Sequence, residues 1–268
     1  MNFAVNEAQL MSWLAAFWLP FCRISGAILS APLFSGKGVP GQFRIFIAVV
    51  LSALIAPMVL TQAGTPVNDF NPFSASGILM AANELLIGIC LGFLVQLTFE
   101  AVMLAGSLIA TGMGLGFATL IDQQQGTPVP VLGQFLMLIT LLLFMALDGH
   151  LAFLELLMKS FISWPPGTLS ITPDAAQQLL KGISSMFGAA MRIAMPAVLA
   201  LLVVQIAMGV ISRSSPSMNL FAVGFPLTMM VGFIVVWQVL PSIAPALEGL
   251  LNAALAQGGV LMEAANVR

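Results

Sequence analysis

Residues 45–68, 123–147, 193–212 and 214–247 carry no Asp, Glu, Lys or Arg, and these four gaps constrain the fold more than any other feature of the chain. Each is at least as long as the roughly 20 mostly apolar residues that a membrane-spanning helix needs. Over all 268 residues, 60% are hydrophobic and 7% charged, whereas a soluble domain carries about a quarter charged residues. The expectation is an all-α integral membrane protein with about six main apolar helices. A net charge of −2 leaves no basic patch to neutralise phosphates, which excludes a nucleic-acid footprint. Cys22 and Cys90 lie inside apolar runs and read as buried thiols, with no disulfide or metal pattern. The first ten residues lack a basic region and Arg23 interrupts the first run, so that run reads as a retained helix.

The apolar runs lie near Leu10–Leu33, Phe43–Val59, Ile78–Thr98, Val131–Met158, Phe187–Ile211 and Phe221–Val239, with a shorter stretch at Ala101–Thr111. Pro20, Pro57, Pro196 and Pro226 fall within or at the edges of them and predict bends, since proline removes an intrahelical hydrogen bond. Residues 31–42 read as a short irregular link and residues 61–76 as a longer polar one. After Pro165-Pro166-Gly167, Thr172 suits a cap, Pro173 the first helical position and Asp174 the positive end of the helix dipole. The amphipathic helix that follows continues into the fifth run. No linker and no clear repeat divides the chain, which reads as one domain. Lys37, Arg44 and Arg213 place their two connections in the cytoplasm and both termini outside, provided the third run and its extension cross once.

Gly112–Pro130 fits neither a tight turn nor a span. Alternate Gly112, Gly114 and Gly116, consecutive Gln123, Gln124 and Gln125 and two prolines oppose a regular helix throughout. Irregular backbone at membrane depth is tolerated only where protein or a water-filled cavity satisfies it, so the segment is a candidate for lining or closing a passage. The three glycines are no nucleotide fingerprint, because the flanking strand and full spacing are missing.

Arg23, Glu84, Glu100 and Arg192 lie in or beside apolar runs, where an unpaired charge costs ~2.5–3.5 kcal/mol. They call for partners, within the chain or across a subunit interface, although proton-coupled transport would use the same residues. Asp148-Gly149-His150 ends the fourth run and contains the sole histidine. That pair suits proton relay, metal binding or general-base work, yet nothing else completes a catalytic or zinc set, and a hydrogen-bonded helix end is the favoured reading. Gly88-Ile-Cys-Leu-Gly92 is a small-xxx-small pattern that lets helices approach. The segment from Gly209 to Phe221, with Arg213, Pro216 and Asn219, reads as a tight turn between the last two runs.

These residues together resemble the FliR family of the bacterial flagellar export apparatus, related to SctT of virulence-type type III secretion. The resemblance is carried by Arg23-Ile-Ser-Gly-Ala, Ala31-Pro-Leu-Phe34, Val39-Pro40 with Arg44, Asn83-Glu84-Leu-Leu-Ile-Gly88 and Gly92-Phe93. It continues through Glu100-Ala101 with Gly106, Asp148-Gly149-His150, Ser160-Phe161 with Pro165, Pro196, and the Gly209–Phe221 turn with Gly224-Phe225-Pro226. The flagellar branch is the closer match.

The resemblance implies a non-enzymatic structural subunit of a gate that passes unfolded flagellar proteins. It implies partners similar to FliP and FliQ, with FlhB and FlhA as neighbours, membrane lipid around the assembly, and no cofactor. The place would be the bacterial inner (plasma) membrane at the flagellar basal body. Residues 1–180 would be the FliP-like part and residues 181–268 the FliQ-like part, folded as kinked helical hairpins. The family places a plug between its middle helices, and the matching segment is Gly112–Pro130. There Gly112, Met113, Gly114 and Gly116 would supply flexibility, Phe117 and Ile121 apolar filler, and Asp122 and Gln123–Gln125 a wet face. Arg23, Glu84, Glu100, Asp148, His150, Arg192, Arg213 and Asn219 are expected to make structural or intersubunit polar contacts. Two competitors remain open: a secondary transporter coupled through the intramembrane charges, and an intramembrane enzyme built on Asp148 and His150.

Overall fold

With apolar side chains on nearly every side, these segments can satisfy their backbones only internally, and every described element is an α-helix. The computed structural model describes residues 7–35, 39–61, 71–72, 74–115, 131–167, 173–214 and 220–265. The helices are α1 (Glu7–Ser30), α2 (Pro32–Ser35), α3 (Gly41–Thr61), α4 (Ala75–Gly112), α5 (Val131–Ala146), α6 (Gly149–Ser163), α7 (Pro173–Ser214) and α8 (Leu220–Ala265). Five are long and apolar enough to cross a membrane, or six if α5 and α6 count as one broken span.

Several boundaries differ from expectation. The third run and its extension form one continuous helix of 38 residues, with Glu100 inside it. The fourth run, without a charge until Asp148, is broken at Leu147–Asp148. Asp148 has φ +54° there, a left-handed conformation that non-glycine residues seldom adopt, with aspartate among the exceptions. The last run continues well past Val239, so that α8 reaches 46 residues and contains Pro226, Pro241 and Pro245. Residues 31–42 are not wholly irregular, since Pro32–Ser35 makes a short helix. Cys22 and Cys90 are free thiols, half-buried rather than fully enclosed.

The chain divides into two compact units. The first comprises residues 1–97, 149–182 and 253–268. In it α3 packs on α1, burying Ala48, Ser52, Ile55 and Val59 at spacings of three and four that form one helical stripe. α1 and α4 run parallel through a glycine contact. A Cβ on Gly88 would collide with the Arg23 carbonyl, one on Gly26 with the Leu85 carbonyl, and one on Gly92 with the Ala27 carbonyl and Ser30 hydroxyl. The Gly88–Gly92 pattern thus does what its spacing predicts, with Gly26 as its counterpart.

The second unit comprises residues 98–148 and 183–252. Its core joins Val102, Ala105, Ile109 and Met113 of α4 with Leu132 and Leu136 of α5, Ala194, Ala197 and Leu201 of α7, and Val236, Val239 and Ile243 of α8. α4 and α5 are antiparallel: Phe99 meets Phe144 edge-on at 5.1 Å, while Gly106 lies against Gly133.

Candidate functional site

Arg23 and Glu84 are both fully buried, with neither side chain reaching the surface. Isolation at such a site would be prohibitive, and the first unit builds a partner for every face of the pair. Arg23 Nε donates to Glu84 Oε2 at 2.6 Å. Its Nη1 reaches the Ser160 carbonyl at 2.8 Å and the Ser160 hydroxyl at 3.3 Å, and its Nη2 the Trp164 carbonyl at 3.0 Å. The guanidinium also lies 4.5 Å from the centre of the Phe161 ring, an arrangement favourable for a cation over a π-face. The second Glu84 oxygen accepts the Gly167 N–H at 2.9 Å, and Gly167 sits at φ +89°, where glycine alone is unstrained.

One ion pair thereby ties α1, α4, the end of α6 and the turn that follows it. Pairing explains how two charges persist among apolar helices. It also occupies the donors and acceptors that an ion-coupling site would need free.

In the second unit, the segment Gly112–Pro130 has a built root. Gly114 N–H bonds the Thr111 carbonyl at 3.0 Å and Leu115 N–H the Ala110 carbonyl at 3.0 Å. With Gly114 at φ +83°, this is a Schellman cap, in which a left-handed residue closes the helix on its last carbonyls. Gly112 is the last residue of α4, and Gly114 has a defined conformational duty. Side chains from two other helices hold this end. Gln205 of α7 donates to the Gly112 carbonyl at 2.8 Å, and Thr228 of α8 donates to the Met113 carbonyl at 3.3 Å. Met113 is fully buried and lies directly over Gly232, where a Cβ would stand 2.7 Å from its sulfur. Gly116, Phe117, Ile121, Asp122, Gln123, Gln124, Gln125 and Asn219 lie outside the described residues.

The other predicted residues do not join either cluster. Glu100 is half-buried on α4, Arg192 is exposed on α7, and Arg213 is exposed in the last turn of α7, where a cation complements the helix dipole. Asp148 is exposed at the α5–α6 break, and His150 is half-buried in the first turn of α6 with Nδ1 enclosed and unpartnered. Among the described residues no group of three His, Cys, Asp or Glu could hold a metal ion.

Sequence reading missed Gln205 and Thr228. Gln205 is the one amide within residues 193–212, a signal that could have marked it as a side-chain donor to a helix end. Ser160 and Gly167 were visible in motifs, yet nothing linked them to Arg23.

The profile of the family described as "Bacterial export proteins, family 1" matches residues 14–254. The flagellar biosynthetic protein FliR of Escherichia coli (strain K12) is 35% identical over 248 residues, covering 92% of this chain and 93% of the relative. The FliR protein of Pectobacterium carotovorum is 34% identical over 247 residues, covering 92% of each. That of Bacillus subtilis (strain 168) is 32% identical over 222 residues, covering 82% and 83%. A match of this extent, on a chain of apolar helices, leaves one assignment: the chain belongs to the FliR family of bacterial export proteins.

Proposed function

We propose that this component of the flagellar export apparatus forms part of the wall of its protein-conducting gate. The observation that carries the reading is helix length. At about 1.5 Å per residue, α7 with 42 residues and α8 with 46 extend for about 63 and 69 Å. The hydrocarbon core of a bilayer is about 30 Å thick. Only 28% and 22% of their most apolar windows is buried within the chain. On α7 the exposed large apolar side chains run from Leu180 to Ile211, about 46 Å, so the part that lipid cannot cover calls for other protein.

FliP-like and FliQ-like subunits are the proposed cover, with FlhB and FlhA as neighbours and the inner membrane at the basal body as the site. The proposed division is a FliP-like part over residues 1–180 and a FliQ-like part over residues 181–268. In this reading Gly112–Pro130 is the closing segment, and the Schellman cap with Gln205 and Thr228 supports it by fixing where that segment begins. Unfolded flagellar proteins would pass, and the chain would do no covalent chemistry. The ion-coupled transporter reading is not supported, because Arg23 and Glu84 neutralise each other.

Expression with and without FliP-like and FliQ-like proteins tests the proposal. Stoichiometric co-purification with both, and degradation of the chain made alone, is expected. A stable, monodisperse chain made alone would overturn it.

A further inference from the structure

One outer face of α8, within the second unit, changes character at Gln238. Before it, Leu227, Met230 and Ile234 stand on that face at 40, 66 and 54% exposure. After it come Gln238, Ser242, Pro245, Gly249 and Asn252, all exposed, and spacings of three and four keep both sets in one helical stripe. Among the described residues, no large apolar side chain of α8 is exposed between Trp237 and Val260. The inner face does not change: Val236, Val239, Ile243, Leu247 and Leu251 are buried across the same stretch. The core against which α8 packs is therefore uniform, and only its outer surroundings differ.

We propose that this switch marks where α8 leaves its apolar cover, and that its outer face from Gln238 to Asn252 stands in water in the assembled apparatus. The wet stretch rises about 21 Å along the helix axis. Three physical arguments select water. Gln238, Glu248 and Asn252 make no hydrogen bond or ion pair with another described residue, and Ser242 spends its proton on the Val239 carbonyl of its own helix at 2.7 Å. An unpaired amide or carboxylate is costly against hydrocarbon and costs nothing in water. Secondly, Pro241 and Pro245 have no N–H, so the Trp237 and Pro241 carbonyls one turn back lose their usual helical donor on this exposed side. Water supplies one, whereas lipid has none. Thirdly, the centre of a stable subunit interface is built on large apolar and aromatic anchors and is poor in charge. This stretch offers one carboxylate and no anchor. Trp237, 73% exposed at the boundary itself, suits an edge with an apolar side and a wet one, since its ring has both characters. The inference stands whether lipid or another subunit covers the residues before Gln238.

Single cysteines test it in the full chain with its export apparatus, after Cys22→Ser and Cys90→Ser remove the native thiols. Met230→Cys and Ile234→Cys sample the apolar part of the face, and Gln238→Cys, Ser242→Cys and Asn252→Cys the polar part. All five positions are exposed, so the core stays in place. Right-side-out and inverted membrane vesicles are treated with a charged maleimide that cannot cross lipid. Labelling in the polar part is expected to exceed that in the apolar part by at least about five-fold, because the reactive thiolate forms in water and is suppressed in apolar surroundings. Labelling from one side of the membrane alone would identify the water as that of an open compartment. Labelling that an arrested export substrate blocks would identify it as that of the passage. A polar part that labels no better than the apolar part from either side would overturn the proposal. Lysine substitutions give a second readout: Gln238→Lys and Asn252→Lys should retain motility, and Ile234→Lys should lose it. The reverse order would equally overturn the proposal.

Discussion

Arg23→Met is the most informative single substitution in this chain. It removes the cation paired with Glu84, a carboxylate with no exposure, and breaking a buried pair from one side costs about 3–5 kcal/mol. Glu84→Leu does the reverse, stranding a guanidinium that keeps only carbonyl, hydroxyl and ring partners. Removing both charges has a different cost. Two backbone groups then lose their partners: the Gly167 N–H and the Trp164 carbonyl. The Ser160 carbonyl keeps the Trp164 N–H at 2.9 Å. At about 1–2 kcal/mol each, the double variant should lose about 2–4 kcal/mol, against about 6–10 for the summed singles.

A thermal melt of the purified complex, followed by loss of its size-exclusion peak at one heating rate, reads this out. For a chain of this size a kcal/mol shifts the midpoint by about 2–3 °C. Each single variant should therefore drop by about 6–15 °C, and the double variant by no more than the worse single. Additive losses, or single variants within about 2 °C of the parent, would mean that the two charges do not depend on each other. That result would sink the knot as the tie between α1, α4 and α6.

Three further outcomes follow from the same geometry. Gly114→Ala forces a side chain into a left-handed residue at a cost of about 1–2 kcal/mol, a midpoint drop of about 2–6 °C. Gly114→Asn should fall between Ala and the parent, because asparagine tolerates that conformation; equal losses for both would point to the Phe225 contact instead. His150→Ala should leave motility and export unchanged and the midpoint no lower, since its enclosed Nδ1 has no partner to lose; lost export would restore a chemical role for the histidine. Deleting residues 114–124 should raise ion leak across vesicles while the complex still assembles, and an intact seal would remove the closing role of that segment.

Hydropathy located the helices because an apolar backbone in lipid has few alternatives, but it misplaced their joints. Glu100 reads as an interruption between two runs, yet α4 passes through it, since i→i−4 bonds are indifferent to one polar side chain. The last run reads as ending at Val239, yet α8 continues through Pro241 and Pro245, because each proline removes one bond from a helix held by many. The break at Leu147–Asp148 was legible, since the polar Asp148-Gly149-His150 stands there; only the left-handed dihedral of Asp148 was not. The knot was half legible. Both charges announced that they need partners, but Arg23 and Glu84 stand 61 positions apart, and only the parallel crossing at Gly26 and Gly88 brings them together.

The same limit governs the largest question. Residues 220–240 are predominantly apolar whether lipid or another subunit covers them, because both present hydrocarbon. Side-chain chemistry therefore cannot separate a membrane span from a subunit interface, whereas length can. On α7 the exposed large apolar side chains run from Leu180 to Ile211, about 46 Å at 1.5 Å per residue, which is more than a bilayer about 30 Å thick can cover. The excess is the strongest physical reason to place this chain inside a larger assembly.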